Sequence, residues 1–258
     1  MSPALISAVL GVILIAMLLR AVFGFGDAMF AIPLLAALIG LERGAPVLAL
    51  AGTAIALLLV RERPSAIETW TVARLLLGAV AGVPLGLYVL VALPPVWAHR
   101  GLAVLLLGFG AWRLLSPAGR IAPEPAVTAE RAGAHAWIRD LGFGLVTGAS
   151  SAAFDIAGPP LLAYAALRGW SSETLRINFQ ALFLPLGLVT IAGHGLAGLW
   201  THEVLMLAAF ALPMMLLGYG LGPRVRARIQ ARFGEHAGQR VLLAAILGLG
   251  VFELVTNL

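Results

Sequence analysis

Two aspartates stand in otherwise apolar stretches of this chain, each a short distance ahead of a proline and a Leu-Leu-Ala run. Residues 21–37 read AVFGFGDAMFAIPLLAA, and residues 147–164 read TGASSAAFDIAGPPLLAY. Asp27 lies six residues before Pro33, and Asp155 lies five before Pro160. The two prolines are 127 residues apart, close to half of the 258-residue chain. A carboxylate inside a hydrophobic segment is expensive to keep there and marks a functional site by default. Two chemistries suit it. One is proton coupling, the side chain being protonated in one half-cycle and ionised in the other. The other is capping, the carboxylate accepting from the first N–H groups of the helix that follows. An ionised aspartate beside a bound anion would repel it, so protonation could license anion binding.

The residues around both aspartates are those that interrupt a helix. Gly24, Gly26 and Gly158 allow unusual dihedrals and close backbone approach, while Pro33, Pro159 and Pro160 each remove an amide donor. Unwound backbone inside a bilayer survives only where protein buries it or water reaches it. The helices expected to restart near Ala28 and Pro159 would present free N–H groups, and helix N-termini favour anions through those donors and the macrodipole. Paired broken segments at matching positions of two halves point to the solute site of a secondary transporter. Ser150 and Ser151 can donate to anionic oxygens. Arg176 suits recognition of oxyanions by its planar fork, and Asn178 and Gln180 follow it at the start of the next span. Thr53, Tyr164, Thr190 and His194 are weaker candidates. His194 is expected at a membrane interface and Glu253 at the surface.

Composition defines the elements that must carry these residues. The chain is 61% hydrophobic and 11% charged, with mean hydropathy +0.99, against roughly 45–50% apolar and about 25% charged for a soluble domain. Apolar runs at residues 5–19, 75–93, 102–115, 181–199, 204–221 and 241–255 approach or exceed the roughly 20 residues of a membrane-spanning helix. The expected fold is therefore an all-α polytopic membrane protein, with about eight hydrophobic segments in the simple count. The first run lacks the basic start of a cleavable signal peptide. With no cysteine and no lysine, disulfides and thiolate metal sites are excluded. No metalloprotease, P-loop or nucleophile-elbow pattern is present, so neither a catalytic residue nor a metal or other cofactor is expected, and no nucleic-acid partner. The expected partners are a small anionic solute and the lipid bilayer; the sequence leaves homo-oligomerisation open.

A polar, proline-bearing stretch at 116–136 reads as a linker between a first membrane repeat (1–115) and a second (137–258). If both interrupted segments are re-entrant, Arg61, Arg63, Arg74, the arginines from Arg113 to Arg139, Arg168, Arg176 and the five from Arg224 to Arg240 face one side, fourteen in all, and only Arg43 and Arg100 the other. Arg20 stays unassigned. That asymmetry fits the positive-inside rule, with the arginine-rich loops cytoplasmic. Continuous spans would give almost no bias. The re-entrant arrangement also makes the halves inverted repeats, each beginning with a broken or re-entrant helix pair. Trp70, Trp97, Trp137 and Trp200 flank the spans as an aromatic belt would.

The run from Gly24 through Pro33-Leu-Leu resembles the N-terminal glycine-rich signature of the TauE/SafE family of membrane permeases. Residues 142–164, from GFGLVTG to GPPLLAY, resemble that family's second repeat, and Glu173-Thr-Leu-Arg176 matches its habit of starting the next span with Arg. The similarity spans the whole chain. It implies export or uptake of small sulfur-containing anions such as sulfite, sulfoacetate or related organosulfonates; the expectation is a bacterial inner-membrane carrier, an exporter, with one repeat moving against the other in alternating access. A passive anion channel, or a carrier of another small organic anion such as a carboxylate, is the alternative. The chain departs from the family pattern at Asp27 and Ala28, where glycines are usual.

Overall fold

A computed structural model describes residues 1–61, 67–115, 134–233 and 235–256. These form ten helices and no strand: α1 (Pro3–Phe23), α2 (Asp27–Ile39), α3 (Leu41–Val60), α4 (Thr69–Val91), α5 (Pro95–Leu115), α6 (Ala134–Phe154), α7 (Gly158–Leu167), α8 (Ser172–Leu196), α9 (His202–Phe233) and α10 (Glu235–Thr256). Helices α1, α3, α4, α8 and α9 are each long and apolar enough to cross a membrane. The linker expected at 116–136 lies outside the described residues as far as 133, as do Arg63, Arg120, Arg131 and the side chain of Arg240.

Both interrupted stretches are broken in the structure. At the end of α1, Gly24 turns left-handed (φ 85°) and its N–H donates to the Arg20 carbonyl at 2.7 Å. Gly26 (φ 95°) then precedes α2. Only glycine takes such dihedrals at little cost, and a left-handed residue is a common way to stop a helix. At the end of α6, Asp155 does the same work. At φ 54° it is the one non-glycine with positive φ among the described residues, a conformation that short polar side chains tolerate best. The restarted helices are short. Thirteen residues in α2 give about 20 Å and ten in α7 about 15 Å, less than the roughly 30 Å hydrocarbon core.

Lipid tails are as apolar as leucine, so helices in a bilayer associate through close packing and polar contacts rather than by escaping water. The tightest seam is α4 against α6. Gly78, Gly82 and Gly86 recur at every fourth position of α4, and a Cβ added at each would lie 2.0–2.2 Å from the carbonyl oxygens of Leu141, Leu145 and Ala149. From the other side, Gly144 and Gly148 of α6 meet the carbonyls of Leu75 and Ala79 in the same way. The register advances in the same direction on both helices, so they run parallel. Helices α1 and α9 form a second parallel seam, with Gly218 against Met17 and Gly222 against Ala21. Helix α5 runs antiparallel to α10, Leu107 facing Gly250 and Leu247 facing Gly110. At the centre α3 packs on α8, where a Cβ at Gly187 would meet the Thr53 hydroxyl at 2.1 Å.

Polar contacts tie the helix ends together. At one end of the bundle Asn178 accepts from the Glu68 N–H at 2.8 Å, and Arg168 reaches Glu68 at 3.5 Å. Nearby, Asp140 is fully buried and accepts from Arg74 and Tyr164, each at 2.8 Å, and from Arg139 at 3.3 Å. Elsewhere Arg43 pairs with Glu203 at 3.3 Å, joining the starts of α3 and α9, and His99 pairs with Glu253, joining the start of α5 to the end of α10.

Because backbone atoms face both glycine rows, Gly82→Leu or Gly148→Leu should force α4 and α6 apart. Overpacking at an ordinary core position costs about 1–3 kcal/mol, and backbone cannot yield as a side chain does. Each variant should lose several degrees of thermal midpoint or most of its monodisperse yield in detergent. Gly142→Ala, where nothing lies within 4 Å of the added Cβ, should match the wild type in the same thermal scan.

Candidate functional site: a midplane cavity between two helix breaks

The sequence placed a lone arginine, Arg20, one turn before the first break and assigned it no role. In the structure it is the centre of the site. Its side chain is 7% exposed. Nη1 donates to Asp27 Oδ2 at 2.9 Å, Nη2 makes a long contact of 3.5 Å to Gln180 Oε1, and the guanidinium lies 4.8 Å from the centre of the Phe183 ring. Its Nε is buried with no hydrogen-bond partner. Gln180 turns its Nε2 to the Gly24 carbonyl at 2.8 Å, so one amide steadies both the arginine and a carbonyl freed by the break.

Arg20 lines a cavity of about 30 Å³. That exceeds the roughly 10–15 Å³ one water needs and is far below the several hundred Å³ of a drug-sized site. Its other walls come from the first break with the start of α2 (Phe25 to Met29), the second break with the start of α7 (Asp155 to Gly158), α3 (Gly52, Thr53), α8 (Phe183, Leu186, Gly187) and Ser151 at the end of α6. Gly52–Thr53 and Phe183–Gly187 lie near the middles of α3 and α8, so the cavity sits at mid-height of the two central spans. The tips of the short helices meet there: a Cβ at Gly158 would lie 3.3 Å from Met29 Cε. Neither α2 nor α7 has a side-chain cap on its N-terminus; α7 opens Gly-Pro-Pro, so Gly158 carries the one N–H of its first three residues.

The two aspartates differ in their surroundings. Asp27 is the first residue of α2 and is engaged by Arg20. Asp155 lines the cavity opposite, and no described residue hydrogen-bonds to its side chain. Gly52 separates it from Arg20; a Cβ there would lie 3.0 Å from Arg20 Nη1 and 3.6 Å from Asp155 Oδ2. Neither carboxylate caps a helix, which corrects the capping expectation for both.

The other sequence candidates disperse. Gly26, Asp27, Ser151, Asp155 and Gly158 line the cavity; Thr53 joins them. Gly24 and Gln180 stand behind it. Ser150 donates to the Thr147 carbonyl within its own helix. Asn178 holds the start of α4. Pro159 faces an apolar groove between α5, α6 and α7. Arg176 lies on the far side of the first break, its Cγ 3.2 Å from where a Gly24 Cβ would be. Two further expectations are corrected. His194 is fully buried rather than interfacial, with Nε2 against the Ala152 carbonyl at 3.0 Å and Trp200 packed edge-on. Glu253 is 1% exposed because it pairs with His99. Trp70, Trp97 and Trp137 are exposed near helix starts. The sequence reading missed Arg20 and Gly52; a single charge inside an apolar 21-residue helix was a signal for the first, and nothing marked the second.

Broken helices around a small polar cavity level with the middles of two spanning helices are the architecture of a membrane transporter. A family model described as sulfite exporter TauE/SafE matches residues 9–252. The chain belongs to that family, whose members move sulfur-containing anions across membranes. No curated protein and no solved structure matches it.

Removing one member of a buried ion pair leaves the other charge uncompensated, which costs about 3–5 kcal/mol. Arg20→Gln alone should therefore lower thermal stability strongly by isolating Asp27. The double variant Arg20→Gln/Asp27→Asn should recover much of that loss. A double variant no more stable than the single one would show that the pair does not act as a unit.

Proposed function

We propose that the chain carries a small sulfur-containing oxyanion, of the size of sulfite or a short organosulfonate, out across the bacterial inner membrane. The observation that carries this reading is the convergence of two uncapped helix N-termini and one buried arginine on a single mid-height cavity. Two positive dipole ends and a guanidinium make an anion site, and the cavity's size favours a solute of a few heavy atoms. Arg20 is the charged ligand, the amides at the start of α2 and the Gly158 amide of α7 take further oxygens, and Ser151 and Thr53 supply hydroxyls.

Charge balance gives the coupling. With both aspartates ionised the site carries one positive and two negative side chains, and an entering anion meets net repulsion. Asp27 already has Arg20 as its partner, so Asp155 is the group that takes up a proton to admit the anion. Solute and proton then travel together. Most residues around the cavity are buried, which suits a carrier that exposes its site alternately rather than an open conduit.

The packing supports an inverted repeat. Exchanging α1–α5 for α6–α10 converts the α1–α9 seam into the α4–α6 seam, both parallel, and returns α5–α10 to itself, antiparallel. The interactions at the helix ends also sort as the positive-inside assignment requires. Glu68, Arg74, Asp140 and Arg168 cluster at one end; Arg43 with Glu203, and His99 with Glu253, join chain ends assigned to the other. The arginine-rich end is then cytoplasmic.

Proteoliposome flux tests the reading. Arg20→Gln/Asp27→Asn should lose saturable sulfite transport. Asp155→Asn keeps the left-handed backbone, which asparagine tolerates well. It should retain sulfite exchange at equal pH while losing accumulation driven by a pH gradient. PH dependence identical to the wild type in Asp155→Asn would remove Asp155 from coupling. Sulfite flux that Arg20→Gln/Asp27→Asn leaves intact would remove the anion site from this cavity.

A further inference from the structure

The first break has a second arginine on its other face. Arg176 lies across Gly24, where the missing Cβ makes room for it. Its side chain opens into a separate cavity of about 310 Å³, whose polar lining comes from Arg176, Arg226 and Tyr219 and whose apolar wall includes Ala21 and Leu59. No acidic residue lines it among the described residues. Ala21 is the chain neighbour of Arg20, which faces the midplane cavity. The two cavities therefore flank the end of α1: Phe25 and Gly26 line the first, and Arg176 of the second packs on Gly24, so each has a guanidinium beside the break.

The second cavity sits where anions would arrive. With 32 residues, α9 is about 48 Å long, well beyond a hydrocarbon core of roughly 30 Å. Its C-terminal part carries Arg224, Arg226, Arg228 and Arg232. A concave wall holding two guanidinium groups and a phenol, next to a basic helix extension, concentrates anions electrostatically. The forked donors of arginine match the oxygens of a sulfo or phosphoryl group.

We propose that this vestibule, lined by Arg176, Arg226 and Tyr219, is a second oxyanion site that captures the solute before it crosses the break to Arg20. The inference rests on the anionic solute proposed above, and its test separates the two. The shared chemistry is a tetrahedral or pyramidal oxyanion, and it has two sources, the solute or an anionic lipid headgroup.

The experiment is equilibrium binding of radiolabelled sulfite to the full chain in nanodiscs of neutral phosphatidylcholine, repeated with phosphatidylglycerol added and retained lipid assayed. Wild type should bind about two sulfites per chain, the weaker one lost as salt screens the more open site. Arg226→Gln should bind about one, and so should Arg20→Gln/Asp27→Asn, each losing a different component. Arg226→Lys keeps the charge without the fork. It should bind the second sulfite several-fold more weakly and elute as a monodisperse protein, which controls for folding. Phosphatidylglycerol retained by wild type and released by Arg226→Gln would make the lipid headgroup the source for the same site. Sulfite stoichiometry and lipid retention both unchanged in Arg226→Gln would overturn the vestibule site. Loss of one sulfite in Arg226→Gln, with none lost in Arg20→Gln/Asp27→Asn, would keep the vestibule and overturn the midplane reading.

Discussion

A guanidinium buried among membrane-spanning helices needs an opposite charge, hydrogen-bond acceptors and a dry packing surface to be tolerated, and Arg20 has all three. Asp27 supplies the charge, Gln180 an acceptor and Phe183 the ring. These come from α2 and α8, so the arginine of α1 fixes the place where three helices meet. The same contacts keep the break in α1–α2 satisfied. A freed carbonyl in hydrocarbon lacks water, and the Gln180 amide that faces Arg20 is also the donor to Gly24. The broken backbone and the buried charge stabilise one another, and the cavity is what remains between them.

The second break is built differently from the first. A glycine pair stops α1 and restarts α2. An aspartate in a left-handed conformation stops α6, and glycine followed by two prolines restarts α7. Asp155 therefore has two duties, as a backbone element and as a cavity wall. Its side chain can face the cavity because its own residue makes the turn. Asp27 sits inside the first helical turn and is committed to Arg20. Two carboxylates at matched sequence positions thus have unequal freedom.

Much of this was legible from residue types that obey local rules. Glycine, proline and an intramembrane aspartate announce a break wherever they cluster, and the two breaks are where those residues are. Partners across space were not legible. Residues 176 and 180 are one turn apart and share a face of α8, with 178 turned away from both, and only packing shows what each one meets. Gln180 turns to the break, Asn178 to the start of α4 and Arg176 to the far cavity. Arg20 reads equally well as a flanking charge near a helix end, because nothing local says that its side chain turns into the bundle. Gly52 reads as one glycine among many until Arg20 and Asp155 are set on either side of it. His194 and Glu253 read as interfacial because their partners, the Ala152 carbonyl and His99, lie far away in sequence.

The glycine rows of α4 and α6 bring carbonyl oxygens against alpha carbons along three helical turns, leaving no slack for one rod to slide along the other. One of these rods belongs to the N-terminal half of the chain and its companion to the C-terminal half, and α1 with α9 is braided in the same manner. The seams therefore knit together not the halves that the numbering suggests but mixed bundles, each borrowing a helix from across the chain. The α4–α6 seam must wait for α6 and the α1–α9 seam for α9, and an N-terminal half released alone would carry two grooved seams with no rod to fill them.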